Sequence, residues 1–371
     1  MKINTTRETL IKGIQTIQAG ASAKTGTIPI LQNFLMETEQ QGLKIIFTDL
    51  EMAIKHHIPV DIKNEGSITI PIKKFMEIVQ NLEEKATIAV SVDPANKIQI
   101  NSGKAKFRIS GLPKTDYPII PDLDETNSFT LSAGLLSEMI SGTIFSASTE
   151  DDRHFLNGLL WKYEKNTLSL VATDGRRLAV AASSSVKSKK EFKIIIPSKI
   201  LVELVKFIKA AAISAKAEVT VGLSSNQVGF KIEKTVFISR LVEGNFPAYE
   251  QIIPKNKEIS VEINAEKLLS ITKRASICAS ERNGSVRYLF KKGVLQVTSE
   301  SPTMNLEDEI DIEYTGKDFQ INFNPRFIID VLKNNEGKNI VMEFSTPAAP
   351  ALMKIAGSDA FMYIVMPLRT Q

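Results

Sequence analysis

Leu168-Ser-Leu-Val-Ala-Thr-Asp174 is the stretch that decides the fold, because similar stretches recur elsewhere in the chain at a fixed interval. Its counterparts are Leu43-Lys-Ile-Ile-Phe-Thr-Asp49 and Val294-Leu-Gln-Val-Thr-Ser299, so the threonine returns about every 125 residues. β-Branched and aromatic residues between glycine, asparagine and lysine turns are typical of strands in hairpins. A first strand is predicted before each stretch, at residues 32–36, 156–161 and 286–290. The sequence therefore predicts three copies of one domain-sized plan.

Two helices are predicted in each copy from apolar residues at helical spacing. The stripes of the opening helices are Leu10, Ile14 and Ile17, then Leu135, Leu136, Met139 and Ile140, then Leu268, Leu269 and Ile271. The second helix of each copy should begin at a proline, because proline lacks the N–H that would be unpaired in the first helical turn. These prolines are Pro71, Pro197 and Pro325, and the stripes after them are Phe75, Ile78, Val79 and Leu82, then Leu201, Leu204, Val205 and Ile208, then Ile328, Val331 and Leu332.

A last hairpin is predicted to close each copy, over residues 86–110, 218–241 and 339–366. Each copy thus has the order helix, strands, helix, strands. Boundaries are expected in the polar stretches near Asn127 and Asn256, which gives domains of residues 1–127, 128–256 and 257–371. We predict an α+β protein with three repeated domains, each with two helices packed on antiparallel β-sheets.

Composition narrows the class of protein. The 371 residues are 43% hydrophobic and 24% charged, as in ordinary globular proteins of two or three domains. No apolar run approaches the roughly 18–20 residues of a membrane span, and no secretory signal is recognisable, so we expect a cytoplasmic protein. Cys278 is the only cysteine, which agrees with a reducing compartment. With one cysteine and three histidines, we expect no metal site and no cofactor.

The formal net charge of +4 is too small to indicate nucleic-acid binding by itself. Lysine and arginine nevertheless recur on equivalent predicted helices. The residues expected to face DNA are Arg7, Lys12, Lys24, Lys199, Lys206, Lys209, Lys267, Arg326 and Lys333. On a concave surface they would neutralise phosphates without reading bases, and the lack of interleaved aromatic residues favours double-stranded DNA. Solvated helix faces are the open alternative, and the opening helix of the second copy departs from the pattern with Glu138 and no basic residue.

Motifs in all three copies resemble one family. They are Leu156-Asn-Gly-Leu-Leu160, Val171-Ala-Thr-Asp-Gly-Arg-Arg-Leu-Ala-Val180, Leu241-Val-Glu-Gly-Asn-Phe-Pro-Ala-Tyr249, Ile253-Pro-Lys-Asn256, Ile28-Pro-Ile-Leu31, Phe47-Thr-Asp-Leu-Glu-Met52 and Tyr363-Ile-Val-Met-Pro-Leu-Arg369. Over the whole chain they resemble the bacterial DNA polymerase III beta subunit family of DNA sliding clamps. The resemblance implies the DNA clamp fold, with two chains joined head to tail in a six-domain ring whose helices line the hole. It also implies a non-catalytic protein that encircles duplex DNA without sequence specificity and confers processivity.

The same resemblance implies a peptide-binding pocket on the second and third copies. Matching the family's motif position by position gives Leu156, Thr173, Gly175, Arg176, Arg177, Leu178, Pro247, Ile252, Val365, Met366, Pro367 and Leu368. Implied partners are the replicative DNA polymerase catalytic subunit, the clamp loader, and other proteins with a clamp-binding motif (repair polymerases, mismatch-repair proteins and ligase). Arg176 departs from the histidine of many members, and Gln251 from the basic residue of some, which bears on partner selectivity. Without the resemblance, these apolar residues would be interpreted as ordinary core.

A homodimer contact between the first copy of one chain and the third copy of the other is also implied by the resemblance. Its apolar members would be Ile277 and Cys278, placed after the opening helix of the third copy. Acidic residues would face basic ones, which would favour this pairing over like with like. The acidic set is Glu300, Glu307, Asp308 and Glu309, and the basic set is Lys73, Lys74, Lys104, Lys106 and Arg108. Ordinary surface-loop charge is the alternative.

Two other functions are considered. Asp49 and Asp174 stand at equivalent positions, as paired carboxylates of an enzyme would, but equivalent positions in separate domains should lie too far apart for acid–base chemistry. The sequence has no phosphate-binding glycine loop, serine nucleophile elbow or metal-ligand cluster. A monomeric basic nucleic-acid-binding protein is the second alternative.

Overall fold

A computed structural model describes residues 1–18, 28–40, 42–279 and 284–368. Within these ranges, one order of elements occurs three times: a strand, a helix, four strands, a second helix and three strands. The first copy has one additional strand between its helices. The predicted α+β class and threefold repetition are therefore confirmed.

The helices and strands have the following bounds. In the first copy they are β1 (Lys2–Thr6), α1 (Arg7–Gln18), β2 (Asn33–Glu39), β3 (Gly42–Thr48), β4 (Met52–Ile58), β5 (Asp61–Asn64), β6 (Ser67–Pro71), α2 (Ile72–Gln80), β7 (Thr87–Val92), β8 (Lys97–Ser102) and β9 (Ala105–Ser110). In the second they are β10 (Ser128–Ser132), α3 (Ala133–Ser141), β11 (Gly158–Glu164), β12 (Thr167–Thr173), β13 (Arg177–Ser183), β14 (Phe192–Pro197), α4 (Ser198–Ala210), β15 (Glu218–Leu223), β16 (Gln227–Ile232) and β17 (Thr235–Arg240). In the third they are β18 (Ile259–Asn264), α5 (Ala265–Cys278), β19 (Val286–Lys291), β20 (Val294–Ser301), β21 (Met304–Asp311), β22 (Phe319–Phe323), α6 (Pro325–Lys333), β23 (Asn339–Phe344), β24 (Ala351–Ile355) and β25 (Phe361–Val365).

The described strands form antiparallel sheets, two of which are shared between copies. The first shared sheet has the order β10-β15-β16-β17-β4-β3-β2-β6, and the second has the order β14-β11-β12-β13-β25-β24-β23-β18. The pair β4·β17 joins the first copy to the second, and the pair β13·β25 joins the second to the third. Two smaller sheets belong to one copy each, with the orders β5-β1-β7-β8-β9 and β21-β20-β19-β22.

By contact, the chain divides into two compact units. Unit 1 contains residues 1–136 and 199–241, and unit 2 contains residues 137–198 and 242–371. These units differ from the three sequence copies because each shared sheet takes strands from two copies. The domain boundaries near Asn127 and Asn256 therefore stay a prediction about the sequence repeat.

The apolar stripes predicted from the sequence form much of the core. Leu10, Ile14 and Ile17 of α1 are fully buried, and the stripe of α6 is buried as well. Removing one such side chain from water contributes about 1.5–3 kcal/mol. Within unit 1, α1 packs against α2, and within unit 2, α5 packs against α6. Leu82, predicted on the second helix of the first copy, lies beyond the end of α2.

Each second helix starts at its predicted proline or directly after it. Pro325 is the first residue of α6, and the Asn324 side chain accepts a hydrogen bond from the Arg326 amide at 3.0 Å. Pro71 and Pro197 instead end strands β6 and β14, one residue before α2 and α4. Proline thus marks all three starts, but occupies the first helical position only in α6.

Three predictions from the sequence need correction. The closing hairpin of each copy is a three-stranded meander: β7–β9, β15–β17 and β23–β25. A further strand follows each recurring threonine stretch, namely β4, β13 and β21. Ile277 and Cys278 do not follow the opening helix of the third copy, because α5 continues through Cys278 and both lie in its last turn.

No helix in the described residues is long and apolar enough to span a membrane.

Candidate functional site

The five residues Thr173–Arg177, here called the second turn, connect β12 to β13 within unit 2. The Thr173 hydroxyl donates a hydrogen bond to the Arg177 carbonyl at 2.6 Å and accepts one from the Gly175 amide at 3.0 Å. One carboxylate oxygen of Asp174 accepts from the amides of Arg176 and Arg177 at 2.9 and 3.0 Å. Gly175 has φ +86°, in the left-handed region that glycine adopts readily. These bonds fix the backbone of the turn.

Arg177 ties the second turn to helix α6. Its side chain is only 9% exposed, and it donates from Nε to Asp174 at 2.9 Å and from Nη1 to Asp330 at 2.6 Å. Nη2 donates to the Phe145 carbonyl, and the guanidinium lies over the Phe327 ring, 4.7 Å from its centroid. Arg177 was predicted as a pocket residue. Its donors are engaged within the chain, so its side chain stabilises the second turn.

An apolar cluster, here called the unit 2 cluster, lies beside the second turn. Its buried members are Leu156, Leu160, Val171, Leu178, Val180, Ile195, Phe246, Tyr249, Leu352 and Ile364, and half-buried Phe155, Val242, Ile253 and Met362 pack on it. Burial raises the pKa of the Tyr249 hydroxyl, and the neighbouring Glu250 carboxylate adds to that rise. The cluster supplies a dry, apolar floor.

Of the predicted pocket residues, Leu156 and Leu178 belong to this cluster, and Pro247 and Ile252 adjoin its members Phe246 and Ile253 in sequence. Strand pairing places Arg177 opposite Val365, and the Met366 amide donates to the Arg176 carbonyl at 3.0 Å. The Leu368 amide donates to the Asn322 carbonyl at 2.8 Å, which anchors the segment 366–368. Buried predicted residues are Leu156, Thr173, Arg177, Leu178 and Val365, Pro367 is half-buried, and exposed ones are Gly175, Arg176, Pro247, Ile252, Met366 and Leu368. An exposed apolar rim above a buried apolar floor can take up apolar side chains of a peptide.

The sequence prediction did not include several residues of this region. Phe155, Phe246 and Tyr249 belong to the cluster or pack on it. The Arg153 guanidinium lies over Gly175, since a Cβ added there would be 3.1 Å from its Nη1. The sequence feature that could have identified them is the two aromatic residues within Gly244-Asn-Phe-Pro-Ala-Tyr249, a segment without helical or strand periodicity. Aromatic residues in such a segment suggest anchors on a core.

Several predicted DNA-facing residues have partners within unit 1. Arg7 donates to the carbonyls of Val79 and Gln80 at 3.1 and 2.7 Å, so it caps the C-terminal end of α2. Lys199 forms an ion pair with buried Asp49. Lys12 and Lys206 are exposed and pair at 2.6 and 2.8 Å with glutamates on their own helices. Lys24 lies outside the described residues.

The remaining predicted cations are exposed and form no ion pair within the described part of the chain. They are Lys209 on α4, Lys267 on α5, and Arg326 and Lys333 on α6. An unpaired ammonium or guanidinium is available to a phosphate, whereas Arg7 would first lose two hydrogen bonds. The predicted DNA-facing set thus divides into available cations, which form no ion pair in the described chain, and cations that already have partners within it.

The predicted dimer residues lie on or near two uncovered strand edges. β9 is the last strand of its sheet and carries exposed Lys106 and Arg108, and β21 is the last strand of the four-stranded sheet. Glu300 is exposed on β20, next to β21, and Lys74 is exposed on α2. At the end of α5, Ile277 is 69% exposed and Cys278 only 5%. Of that apolar pair, Ile277 alone is available for a contact.

Comparison with known proteins gives one consistent result. Residues 1–121, 130–248 and 250–369 match the N-terminal, central and C-terminal domains of the DNA polymerase III beta subunit family. The beta sliding clamp of Vibrio cholerae is 32% identical over 371 residues, and that of Escherichia coli K12 is 31% identical, with 100% of each chain covered.

Solved structures are similar over the full chain. The DNA polymerase sliding clamp of Bacillus subtilis matches with a TM-score of 0.94 at 28% identity, and 100% of both chains is covered. A sliding clamp of Pseudomonas aeruginosa bound to griselimycin matches with a TM-score of 0.93 at 29% identity, also over 100% of both chains.

Proposed function

The chain belongs to the DNA polymerase III beta subunit family, the beta sliding clamps, and from this membership we propose how it closes into a ring, holds DNA and recruits partners. It is a DNA sliding clamp and a non-catalytic processivity subunit, so the enzyme alternative built on Asp49 and Asp174 is rejected. The experiments below test the closed ring against the behaviour of a monomeric nucleic-acid binder. We expect the protein to work in the cytoplasm.

One observation carries the ring proposal: the strand pairing between copies is repeated, and it stops at two open edges. The third strand of the central group in one copy pairs with the last strand of the next copy, as β4·β17 and then as β13·β25. The equivalent strands left over are β21 and β9, which are both sheet edges in the described chain. If β21 of one chain pairs with β9 of a second, the repetition continues and closes a head-to-tail homodimer.

The repetition also specifies a register for this contact. In the pair β4·β17, Phe237 is opposite Ile54 and Val236 is opposite Lys55. Aligning β9 on β17 by their tight turns, and β21 on β13 by their pairing with the preceding strand, places Phe107 opposite Asp308 and Lys106 opposite Glu309. Because strand residues alternate between faces, two pairs of opposite charge, Lys106–Glu309 and Arg108–Glu307, would share one face. This complementary charge would favour the pairing.

A charge exchange tests the dimer. We expect Lys106→Glu and Glu309→Lys each to weaken dimerisation at least about tenfold, because like charges directly opposite are unfavourable, and the double variant to recover most of the loss. The control is Lys317→Glu, an exposed loop position, which should leave dimerisation unchanged. Sedimentation measures the dissociation constant, which should also rise with salt. Equal dimerisation by all variants would disprove the register, and a strict monomer at micromolar concentration would disprove the ring.

DNA binding is assigned to the available cations Lys209, Lys267, Arg326 and Lys333, with smaller parts for Lys12 and Lys206. They would contact phosphates without reading bases, so binding should be salt-sensitive and independent of sequence. We expect the clamp, once placed on nicked circular DNA, to stay until the circle is linearised. Equal retention on both would favour the monomeric binder. Neutralising Lys209 or Lys333 should lower the logarithmic salt slope by about 0.9 for each phosphate that the protein no longer neutralises, whereas Lys317→Gln should not.

The pocket of unit 2 is assigned to a linear peptide motif of the polymerase catalytic subunit, the clamp loader and the other proteins named above. What supports this is the exposed apolar rim of Ile252, Met366 and Leu368 beside the buried unit 2 cluster. Ile252→Ser should weaken binding of a labelled apolar peptide about tenfold without unfolding the protein, since its side chain is half exposed. Lys317→Ser is the control at an exposed loop position on another surface, and equal losses would contradict the assignment.

A further inference from the structure

Unit 1 contains a second apolar cluster whose members correspond, residue for residue, to members of the unit 2 cluster. Its buried members are Leu35, Ile46 and Tyr117, on which half-buried Ile30 and Ile120 pack. Their counterparts are Leu160, Val171, Tyr249, Phe155 and Ile253, all in the unit 2 cluster. Strand register supports the match, because Leu35 is opposite Ile46 as Leu160 is opposite Val171.

The turn beside this cluster repeats the second turn bond for bond. In Thr48–Met52, here called the first turn, the Thr48 hydroxyl donates to the Met52 carbonyl at 2.8 Å and accepts from the Leu50 amide at 3.0 Å. Asp49 accepts from the amides of Glu51 and Met52 at 3.1 and 2.9 Å. The Arg240 amide donates to the Glu51 carbonyl at 3.0 Å, as the Met366 amide does to Arg176.

The rim of this second region is also apolar and exposed. Tyr117-Pro-Ile-Ile-Pro121 matches Tyr249-Glu-Gln-Ile-Ile-Pro254, so Ile119, which is 96% exposed, corresponds to pocket residue Ile252, which is 47% exposed. Leu50 stands where Gly175 does, at φ +78°, and is 47% exposed. A leucine in that conformation is strained, and strain persists only where something in the structure or its function maintains it.

The large exposed apolar side chains of the described chain fall into three groups. Ile252, Met366 and Leu368 lie at the pocket, and Phe107, Ile277 and Met304 lie at the proposed dimer edges. The others, Ile28, Leu50, Leu112 and Ile119, all belong to unit 1 and flank the first turn or its cluster in sequence. This group has no assigned partner.

We propose that this surface of unit 1 is a second, weaker docking site for a short extended peptide with two adjacent apolar side chains. The occupant is inferred from the repeated cluster, turn and isoleucine, and the inference rests on the proposed peptide function of the unit 2 pocket. Charge should distinguish the two sites. Glu51 replaces Arg176, and Arg240 replaces Met366, so the summed charge of these two positions falls from +1 in the unit 2 pocket to zero here, and an acidic peptide is attracted less.

Methyl NMR of the full-length, isoleucine-labelled protein tests the proposal. The probes are acetylated, amidated peptides Lys-Ala-Leu-Phe-Gly and Glu-Ala-Leu-Phe-Gly. We expect saturable shifts of Ile253 and, at about tenfold higher peptide concentration, of Ile120, because Ile119 is 96% exposed and therefore less fixed by packing than Ile252. The lysine peptide should bind better than the glutamate peptide at Ile120, relative to their ratio at Ile253.

Two matched variants separate the sites. Ile119→Ser should abolish the shift of Ile120 and leave that of Ile253, and Ile252→Ser should do the reverse; both side chains are too exposed for either change to unfold the protein. A saturable shift at Ile253 with none at Ile120 would overturn the second site while the proposed pocket stands. No shift at either residue would overturn both. An Ile120 shift that survives in Ile119→Ser would also overturn the assignment, because it would place the peptide elsewhere.

Discussion

The first turn and the second turn have the same backbone bonds but are anchored in different ways. Asp174 of the second turn is bound by Arg177, whose buried guanidinium also reaches Asp330 and the Phe145 carbonyl. Asp49 of the first turn pairs instead with Lys199, whose ammonium is partly exposed. A guanidinium holds several acceptors in a fixed plane, whereas an ammonium is a mobile point charge. The difference indicates that unit 2 has a rigid turn and unit 1 an adaptable one.

Arg177→Ala should have the largest effect. The change leaves Asp330 without its cation in a part-buried position and removes the stacking on Phe327, so we expect a loss of about 3–5 kcal/mol in the free energy of unfolding. Denaturant titration measures it. The control is Arg176→Ala at the exposed neighbouring position, with an expected change within about 0.5 kcal/mol. Equal small effects would show that the guanidinium is not the anchor.

Features that depend on residues close together in the sequence could be predicted, whereas features that depend on distant residues could not. The stripes of α1 and α6 were predicted correctly because apolar spacing along a helix is a local pattern. β13 was missed since its residues are buried on both faces and show no alternation. Arg7 and Lys199 were assigned to DNA from their charge and their positions on the repeated helices. Their partners lie 72 and 150 residues away in the sequence, respectively, and only tertiary structure shows them.

Lowering the pH should weaken the junction between β4 and β17 but not the junction between β13 and β25. Burial, together with the charges of His57 and Lys234, lowers the pKa of His56 to about 4; this residue lies on β4 opposite Thr235 of β17. The equivalent residue on β13 is Ala181, opposite Phe361, which cannot titrate.

The sign of this effect follows from the lowered pKa. Above pH 6.5 the imidazole is neutral in both the folded and the unfolded chain, so it does not change the free energy of unfolding. As the pH falls from 6.5 to about 4, the unfolded chain binds the proton first, and stability decreases by at most about 3 kcal/mol. Hydrogen exchange should show β4 and β17 losing protection in this window while β13 and β25 keep it. His56→Ala should remove the difference; a loss that persists in this variant must arise from another group.

Lys199→Met should have a smaller effect than Arg177→Ala. Asp49 keeps its hydrogen bonds from the Glu51 and Met52 amides, so its carboxylate stays satisfied, and we expect a loss of about 1 kcal/mol. Lys209→Met, on the same helix but exposed and without an ion pair in the described chain, is the control and should cost less. Denaturant titration of both variants measures the difference. A loss as large as that of Arg177→Ala would show that the first turn is anchored as rigidly as the second.

Substitutions at the central residue of each turn, Gly175 and Leu50, should have the smallest effects on stability, with opposite signs. Gly175→Ala should destabilise the protein by about 1 kcal/mol, because a Cβ disfavours φ +86°, and the only close atom is the movable end of Arg153. Leu50→Gly relieves the same strain but gives the unfolded chain more freedom, so the net gain should be under about 1 kcal/mol. Thermal unfolding of the two variants against the parent measures both. If Leu50→Gly destabilised the protein, the leucine would be held by packing within unit 1, and its exposure would not indicate an adaptable surface. A gain in stability would instead mean that the chain retains a strained leucine at a position where glycine folds better, as expected if that side chain is kept for contact with a partner.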